Sequence, residues 1–286
     1  MNFLKKLAGA IQQNRSFLSI GLDPDLLLIP PGVSVINFNH AIIKATSNLV
    51  CAYKLNLASY EAIGVNGLTL LKETIKKIPP NIPVIVDANQ NDIGDAAKVS
   101  AKALYDTLGA DACTVNPFLG FDSIEPYIRY QDKGVFILCR TSNKGSADFQ
   151  SLRCQTDTGT KLFYEIVAEK AFSWNQYGNI GLVIGATYPE ELAALRNNYP
   201  EIPFLIPGVG PQGGALNLTV QNGMDRERKR MIINSSRHIL YASCGKDYVD
   251  AAQTAALELR NEINASLSKR GPLSAHMLAS QLVEQA

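Results

Sequence analysis

Val84-Ile85-Val86-Asp87-Ala88-Asn89-Gln90-Asn91-Asp92-Ile93-Gly94 begins as an apolar run without polar alternation and ends as a polar loop holding two carboxylates. Such a run suits a strand covered on both faces, as in a parallel sheet. Working outward, similar short runs recur at 17–22, 50–54, 112–115, 135–139, 181–184, 203–206 and 232–242, which with 84–87 gives eight candidate strands. Helical patterns lie between them at about 37–49, 67–77, 95–108, 123–131, 160–174 and 189–197, and a last one follows at 247–268. Eight strands separated by crossovers predict an α/β chain folded as a closed (β/α)8 TIM barrel rather than an open doubly wound sheet.

A barrel of this kind is one domain, expected here over residues 1–268, and its active site is built at the carboxyl ends of the strands. Asp23, Lys54, Asp87, Asn116, Arg140, Thr187, Gly208 and Ser243 are therefore expected to face one mouth. Residues 269–286 lie beyond the eighth repeat and read as a C-terminal tail or helix, or as a linker to a second enzyme domain, since Gly271-Pro272 follows two basic residues.

Composition removes several classes of function. The chain has 286 residues, 46% hydrophobic, with Lys plus Arg 27 against Asp plus Glu 26, so no charge excess recruits polyanions and no nucleic-acid partner is expected. No apolar stretch approaches the roughly 20 residues that span a bilayer, and residues 1–15 are amphipathic rather than signal-like, so no membrane partner and a cytoplasmic location are expected. Cys51, Cys113, Cys139, Cys154 and Cys244 form no close pair and read as reduced thiols, most of them in or beside apolar runs. His40, His238 and His276 stand alone, with no zinc spacing, and no metal site is expected.

Two segments carry chemistry. The first is the opening loop, whose Asp87 and Asp92 leave one strand end together; alternatively, Asp87 caps the strand and Asp92 caps the next helix. The second is Pro207-Gly208-Val209-Gly210-Pro211-Gln212-Gly213-Gly214, followed by Asn234-Ser235-Ser236-Arg237. Glycines let backbone N–H groups approach phosphate oxygens and Arg237 offers a planar fork, in the place where barrels hold phosphate; the alternative is a flexible loop and a surface arginine. The basic run at 226–230 reads as a solvated segment or a phosphate-covering lid.

These pieces resemble the orotidine 5'-phosphate decarboxylases, in particular their longer bacterial branch. The match runs in family order over about residues 16–250: Ser19-Ile20-Gly21-Leu22-Asp23-Pro24-Asp25, Tyr53-Lys54-Leu55-Asn56, the Asp87/Asp92 loop, Asn116-Pro117-Phe118-Leu119-Gly120, Arg140-Thr141-Ser142-Asn143, Gly185-Ala186-Thr187, the glycine loop and Ser236-Arg237. The resemblance implies release of CO2 from orotidine 5'-phosphate to give UMP, with no metal or organic cofactor. It implies that Asp23 and Lys54 hold ribose hydroxyls, that Ser142 contacts the pyrimidine, and that Gln212 and Arg237 grip the phosphate, with Pro207 and Ser236 in the same binding set. It also implies a homodimer in which Asp92 reaches the neighbouring site.

One departure falls on the catalytic positions Asp87, Asn89 and Asp92. The family loop reads Asp-x-Lys-x-x-Asp, whereas Asn89 stands at the lysine position here and Gln90 at the adjacent, usually basic one. Decarboxylation leaves electron density on a ring carbon, which an ammonium group both stabilises and protonates. Asn89 offers only a neutral amide. The competing reading is a barrel that keeps the nucleotide without turnover, as one module of a bifunctional UMP synthase. A different phosphate-binding barrel enzyme that shares the paired aspartates is a further alternative, and metal dependence would mark it.

Overall fold

In a computed structural model that describes residues 2–209 and 214–268, eight parallel strands close into a barrel. The barrel strands are β1 (Leu18–Gly21), β2 (Ala52–Asn56), β3 (Val84–Gln90), β4 (Ala112–Val115), β5 (Gly134–Arg140), β8 (Ile180–Ile184), β9 (Phe204–Ile206) and β10 (Met231–Ser235). A separate antiparallel hairpin is made by β6 (Arg153–Thr156) and β7 (Gly159–Leu162). Neighbours run β1-β10-β9-β8-β5-β4-β3-β2 round the barrel, so the last strand pairs with the first and no edge is left open. Buried Val, Ile and Leu dominate these strands, because a parallel sheet under helices has no wet face.

The helices are α1 (Phe3–Asn14), α2 (Val35–Thr46), α3 (Leu57–Glu61), α4 (Gly67–Lys77), α5 (Gly94–Lys102), α6 (Phe121–Ile128), α7 (Phe163–Trp174), α8 (Pro189–Asn198), α9 (Leu216–Gly223), α10 (Arg237–Leu240) and α11 (Tyr248–Ser268). The first of them decides which end of the barrel is open. Phe3 donates its N–H to the carbonyl of Asp132, just before β5, and its ring meets Phe136 edge-on with centroids 5.7 Å apart. Gly134 makes this possible, since a Cβ there would stand 2.5 Å from the Phe3 ring. Lys6 pairs at 2.7 Å with Asp111, just before β4. Helix α1 thus covers the amino-terminal end of the barrel and leaves the carboxyl-terminal mouth accessible. Burying the Phe3 ring contributes about 3 kcal/mol to holding it there.

Several boundaries differ from the sequence reading. The eighth strand stops at Ser235 rather than running to 242, because the apolar Ile239-Leu240 is buried from a helical turn, α10. Ser243 is therefore not a strand-end residue; it hydrogen-bonds Asp247 at 2.6 Å ahead of α11. The helix expected from 160 starts at Phe163, and its first residues belong to the β6–β7 hairpin. The short helices α3 and α9 were not anticipated, and α5 passes into a wider π-helical turn, Ala103–Thr107.

The basic run at 226–230 enters β10 from its amino-terminal end. Arg230 pairs there with Glu201 at 2.7 Å and Asp225 at 3.6 Å, so the run is no lid over the mouth. Cys51, Cys113 and Cys139 are buried, Cys154 is half-buried and Cys244 exposed, and all five are free thiols. Among the described residues no helix is long and apolar enough to cross a membrane. Residues 269–286, and with them His276 and the Gly271-Pro272 step, lie outside the described residues.

Candidate active site

A cavity of about 670 Å³ opens at the carboxyl-terminal mouth, a volume suited to a nucleotide-sized ligand. Parallel register brings its charged residues together. Gly21 of β1 stands opposite Lys54 of β2, and Asn56 opposite Asp87 of β3, so side chains from three adjacent strands converge. Lys54 is buried, with its Nζ 2.6 Å from Asp87 Oδ2 and 3.9 Å from Asp23 Oδ2. Burial alone would lower the lysine's proton affinity, but the charges of Asp23 and Asp87 hold it above the ordinary amine range. Lys54 is thus an ammonium ion at neutral pH.

Asp87 is in the converse position. Burial pushes its carboxyl up, yet the Lys54 charge and hydrogen bonds from Lys54, Thr114 and Asn56 together hold it below the usual carboxylate value. The Thr114 hydroxyl lies 2.8 Å from Asp87 Oδ1 and Asn56 Nδ2 3.4 Å from Oδ2. Asn56 is fixed in turn by capping α3, where its Oδ1 accepts from the Ser59 N–H at 3.1 Å.

The opposite wall joins the first and last strands. The Ser236 hydroxyl donates to Asp23 Oδ2 at 2.8 Å and lies 3.1 Å from the Gly21 carbonyl, while Asp23 Oδ1 accepts from the Asn56 N–H at 2.9 Å. A Cβ on residue 21 would stand 2.8 Å from both Asp23 Oδ2 and Ser236 Cβ, so glycine is what lets these strand ends close on each other. Beyond Ser236, Arg237 lines the cavity, exposed and without an ion pair among the described residues. Pro207 and Gly208 form the adjoining rim. Tyr241 steadies the wall, since its hydroxyl accepts from the Asp25 N–H at 2.6 Å and donates to the Asp23 carbonyl at 3.1 Å.

Other expected residues fall elsewhere. Asn89 has a left-handed backbone (φ 49°), which asparagine tolerates better than most residues, and its amide is turned onto Thr114. Asp92 is exposed and outside this cavity, with its Oδ1 accepting from the Ile93 N–H at 2.8 Å. Ser142 follows β5 and does not line the cavity; its carbonyl accepts from Thr187 Oγ1 at 3.3 Å. Arg140 does not present its charge to the mouth. It is buried against Glu191 at 2.5 Å and stacks 3.5 Å over the Tyr188 ring. Asn116 is a local cap that accepts from the Phe118 N–H at 3.0 Å. Gln212 lies outside the described residues. Among the described residues no cluster of three or more His, Cys, Asp or Glu side chains is placed to hold a metal ion.

Sequence reasoning missed Asn56, Thr114 and Tyr241 as members of the site. For the first two a signal existed: each is a polar residue within or ending an otherwise apolar strand, and Asn56 sits two positions after Lys54, on the same face.

Comparison with known proteins agrees with this architecture. Residues 16–254 match the orotidine 5'-phosphate decarboxylase / HUMPS family. The chain is 51% identical over 264 residues to the orotidine 5'-phosphate decarboxylase of Dehalococcoides mccartyi, a match covering 92% of this chain and 98% of that protein. It is 47% identical over 259 residues to the enzyme of that name from Herpetosiphon aurantiacus, covering 89% and 95%. Among solved structures, the Leishmania donovani OMP decarboxylase superposes with a TM-score of 0.81 at 38% identity, covering 93% of this chain and 99% of that one. Leishmania donovani UMP synthase gives 0.83 at 40% identity, with 93% of this chain spanning 56% of the longer protein. From the parallel barrel, the converging Asp23, Lys54 and Asp87 and this extent of likeness, the chain belongs to the orotidine 5'-phosphate decarboxylase family.

Proposed function

We propose that this barrel removes the carboxylate of orotidine 5'-phosphate to give UMP and CO2, at a rate held down by Asn89. The observation that carries the reading is the convergence of Lys54, Asp87 and Asp23 with Ser236 and Arg237 in one cavity at the carboxyl-terminal mouth. Arg237, without an ion pair among the described residues, supplies the fork for a phosphate dianion, with the Pro207 rim beside it. Asp23 and Lys54 take the ribose hydroxyls. The ring then lies toward Asp87, whose fixed negative charge faces the carboxylate that leaves. Departure of CO2 leaves an electron pair on the ring carbon, which Lys54 stabilises as the ammonium bonded to Asp87 and then protonates, forming the C–H bond of UMP, and the amine regains its proton from solvent.

Following the loss of orotate-ring absorbance tests this reading. Purified chain is expected to convert orotidine 5'-phosphate above the uncatalysed background, and no conversion by a folded, UMP-binding chain would contradict it. That second outcome is the nucleotide-holding reading, which one observation favours: the residue at the lysine position is a neutral amide held on Thr114.

The active unit in this proposal is a homodimer with Asp92 completing the partner's site. Its support is surface chemistry. Asp92 and Ile93 are exposed beside the loop after β4, where the Asn116 N–H donates to the Gln90 carbonyl, and that loop and the following α6 expose Phe118, Leu119 and Phe121. Exposed apolar side chains on neighbouring loops are a common feature of interfaces. Sedimentation equilibrium is expected to give twice the 31.1 kDa chain mass; a monomer at all concentrations would overturn this part.

A further inference from the structure

The Thr114 hydroxyl faces three groups at once. It lies 2.8 Å from Asp87 Oδ1, 2.9 Å from the end of the Asn89 carboxamide, and 3.0 Å from the Asn89 backbone nitrogen, whose N–H it accepts. Thr114 is 1% exposed, so solvent does not compete for these bonds. A hydroxyl has one proton to donate and two lone pairs. It cannot donate to both the Asp87 carboxylate and an amide oxygen, and a bond to an ionised acceptor is about twice as strong as a neutral one.

The proton therefore goes to Asp87. The two ends of a carboxamide have the same shape, so hydrogen bonding decides which one faces Thr114. With the hydroxyl proton spent, the fitting end is Nδ2, which donates to the second lone pair. Every valence of the hydroxyl is then used, and the Asn89 oxygen points away from it.

We propose that Thr114 is a positioning residue that holds Asp87 ionised and oriented, supplying part of the support that a cation at position 89 would give. The inference rests on the reading of Asp87 as the catalytic carboxylate, and its test separates the two. The groups facing Asp87 are Lys54 and Asn56 from β2 and Thr114 from β4, with Asp23 beyond Lys54; Lys54 and Asp23 are the titratable ones. With Lys54 the one cation bonded to Asp87 among the described residues, a neutral donor on the other carboxylate oxygen carries more weight than it would beside two cations.

The experiment is a ¹³C NMR titration of Asp87 in the ligand-free protein, together with turnover of orotidine 5'-phosphate. Thr114→Val keeps the side-chain shape without the hydroxyl, and is expected to raise the Asp87 titration midpoint by about one pH unit, a tenfold change in proton affinity. Thr114→Ser keeps the hydroxyl and should titrate like the unaltered chain. In the Asn89→Lys background the effect of Thr114→Val should fall to about half or less, because a cation then supports the same carboxylate. Where the chain turns over, Thr114→Val should lower kcat with little change in KM. Thr114→Ala is the second hydroxyl-free variant should the valine protein fail to fold.

An unmoved Asp87 midpoint in the hydroxyl-free variants, or an equal rise in both backgrounds, would overturn the proposal. A midpoint that moves as expected in a chain without any turnover supports the role of Thr114 and removes the decarboxylase reading instead.

Discussion

Replacing Asn89 with lysine is expected to raise turnover of orotidine 5'-phosphate by about a hundredfold to a thousandfold, the usual worth of one preorganised charge at a reacting centre. The environment is prepared for an ammonium there. Asp87 lies across the Thr114 hydroxyl from residue 89, and Lys54 is the cation already bonded to it. The gain should appear mainly in kcat, since the new charge meets electron density that develops only as CO2 leaves. A stability cost should accompany it: residue 89 has φ 49°, and a long side chain in that region costs about 1 kcal/mol more than asparagine. Asn89→Met controls for length without charge and should give no gain. If the lysine variant folds and binds UMP but turns over no faster, the site has lost more than one ammonium group.

The second large effect concerns Lys54. Lys54→Met leaves Asp87 and Asp23 facing one another in a largely buried site without their shared cation, and breaking a buried pair in this way costs about 3–5 kcal/mol. The pH dependence has a definite sign. In the unaltered chain the folded Asp87 carboxyl sits below its ordinary value despite burial, because Lys54 and the Thr114 and Asn56 hydrogen bonds prevail. Its contribution to stability is therefore complete above the unfolded carboxylate value of about 3.9 and is lost as pH falls through the folded value.

In the variant, burial acts without the cation and Asp87 rises instead, so the folded state is helped by acid relative to neutral pH. The stability gap between the two proteins should be widest near neutrality and shrink as pH falls toward and below about 4. Urea unfolding at several pH values measures it. A gap that is constant with pH would mean the lysine contributes packing rather than charge.

The barrel was readable because its strands are short, doubly covered and apolar, as at Val84-Ile85-Val86, and because crossovers impose a regular spacing. Boundaries failed where burial and periodicity part company. Ile239 and Leu240 are as apolar as a strand but sit on α10, and the β6–β7 hairpin is polar and partly exposed, so its residues show no apolar alternation. Asp23, Lys54 and Asp87 were identifiable as charged residues at strand ends. Arg140 looked equivalent, but its partners Glu191 and Tyr188 come from another crossover and are invisible to local reading. Thr114 was hidden for the same reason: a small neutral residue acquires its meaning only from the carboxylate that the neighbouring strand brings beside it.

How the nucleotide lies in the mouth is measured directly by a crystal structure with UMP. The expected result has phosphate oxygens within about 3 Å of the Arg237 guanidinium, ribose hydroxyls at Asp23 and Lys54, and the ring against Asp87. UMP bound elsewhere on the barrel, or an Arg237 side chain turned to solvent with the phosphate out of its reach, would contradict it.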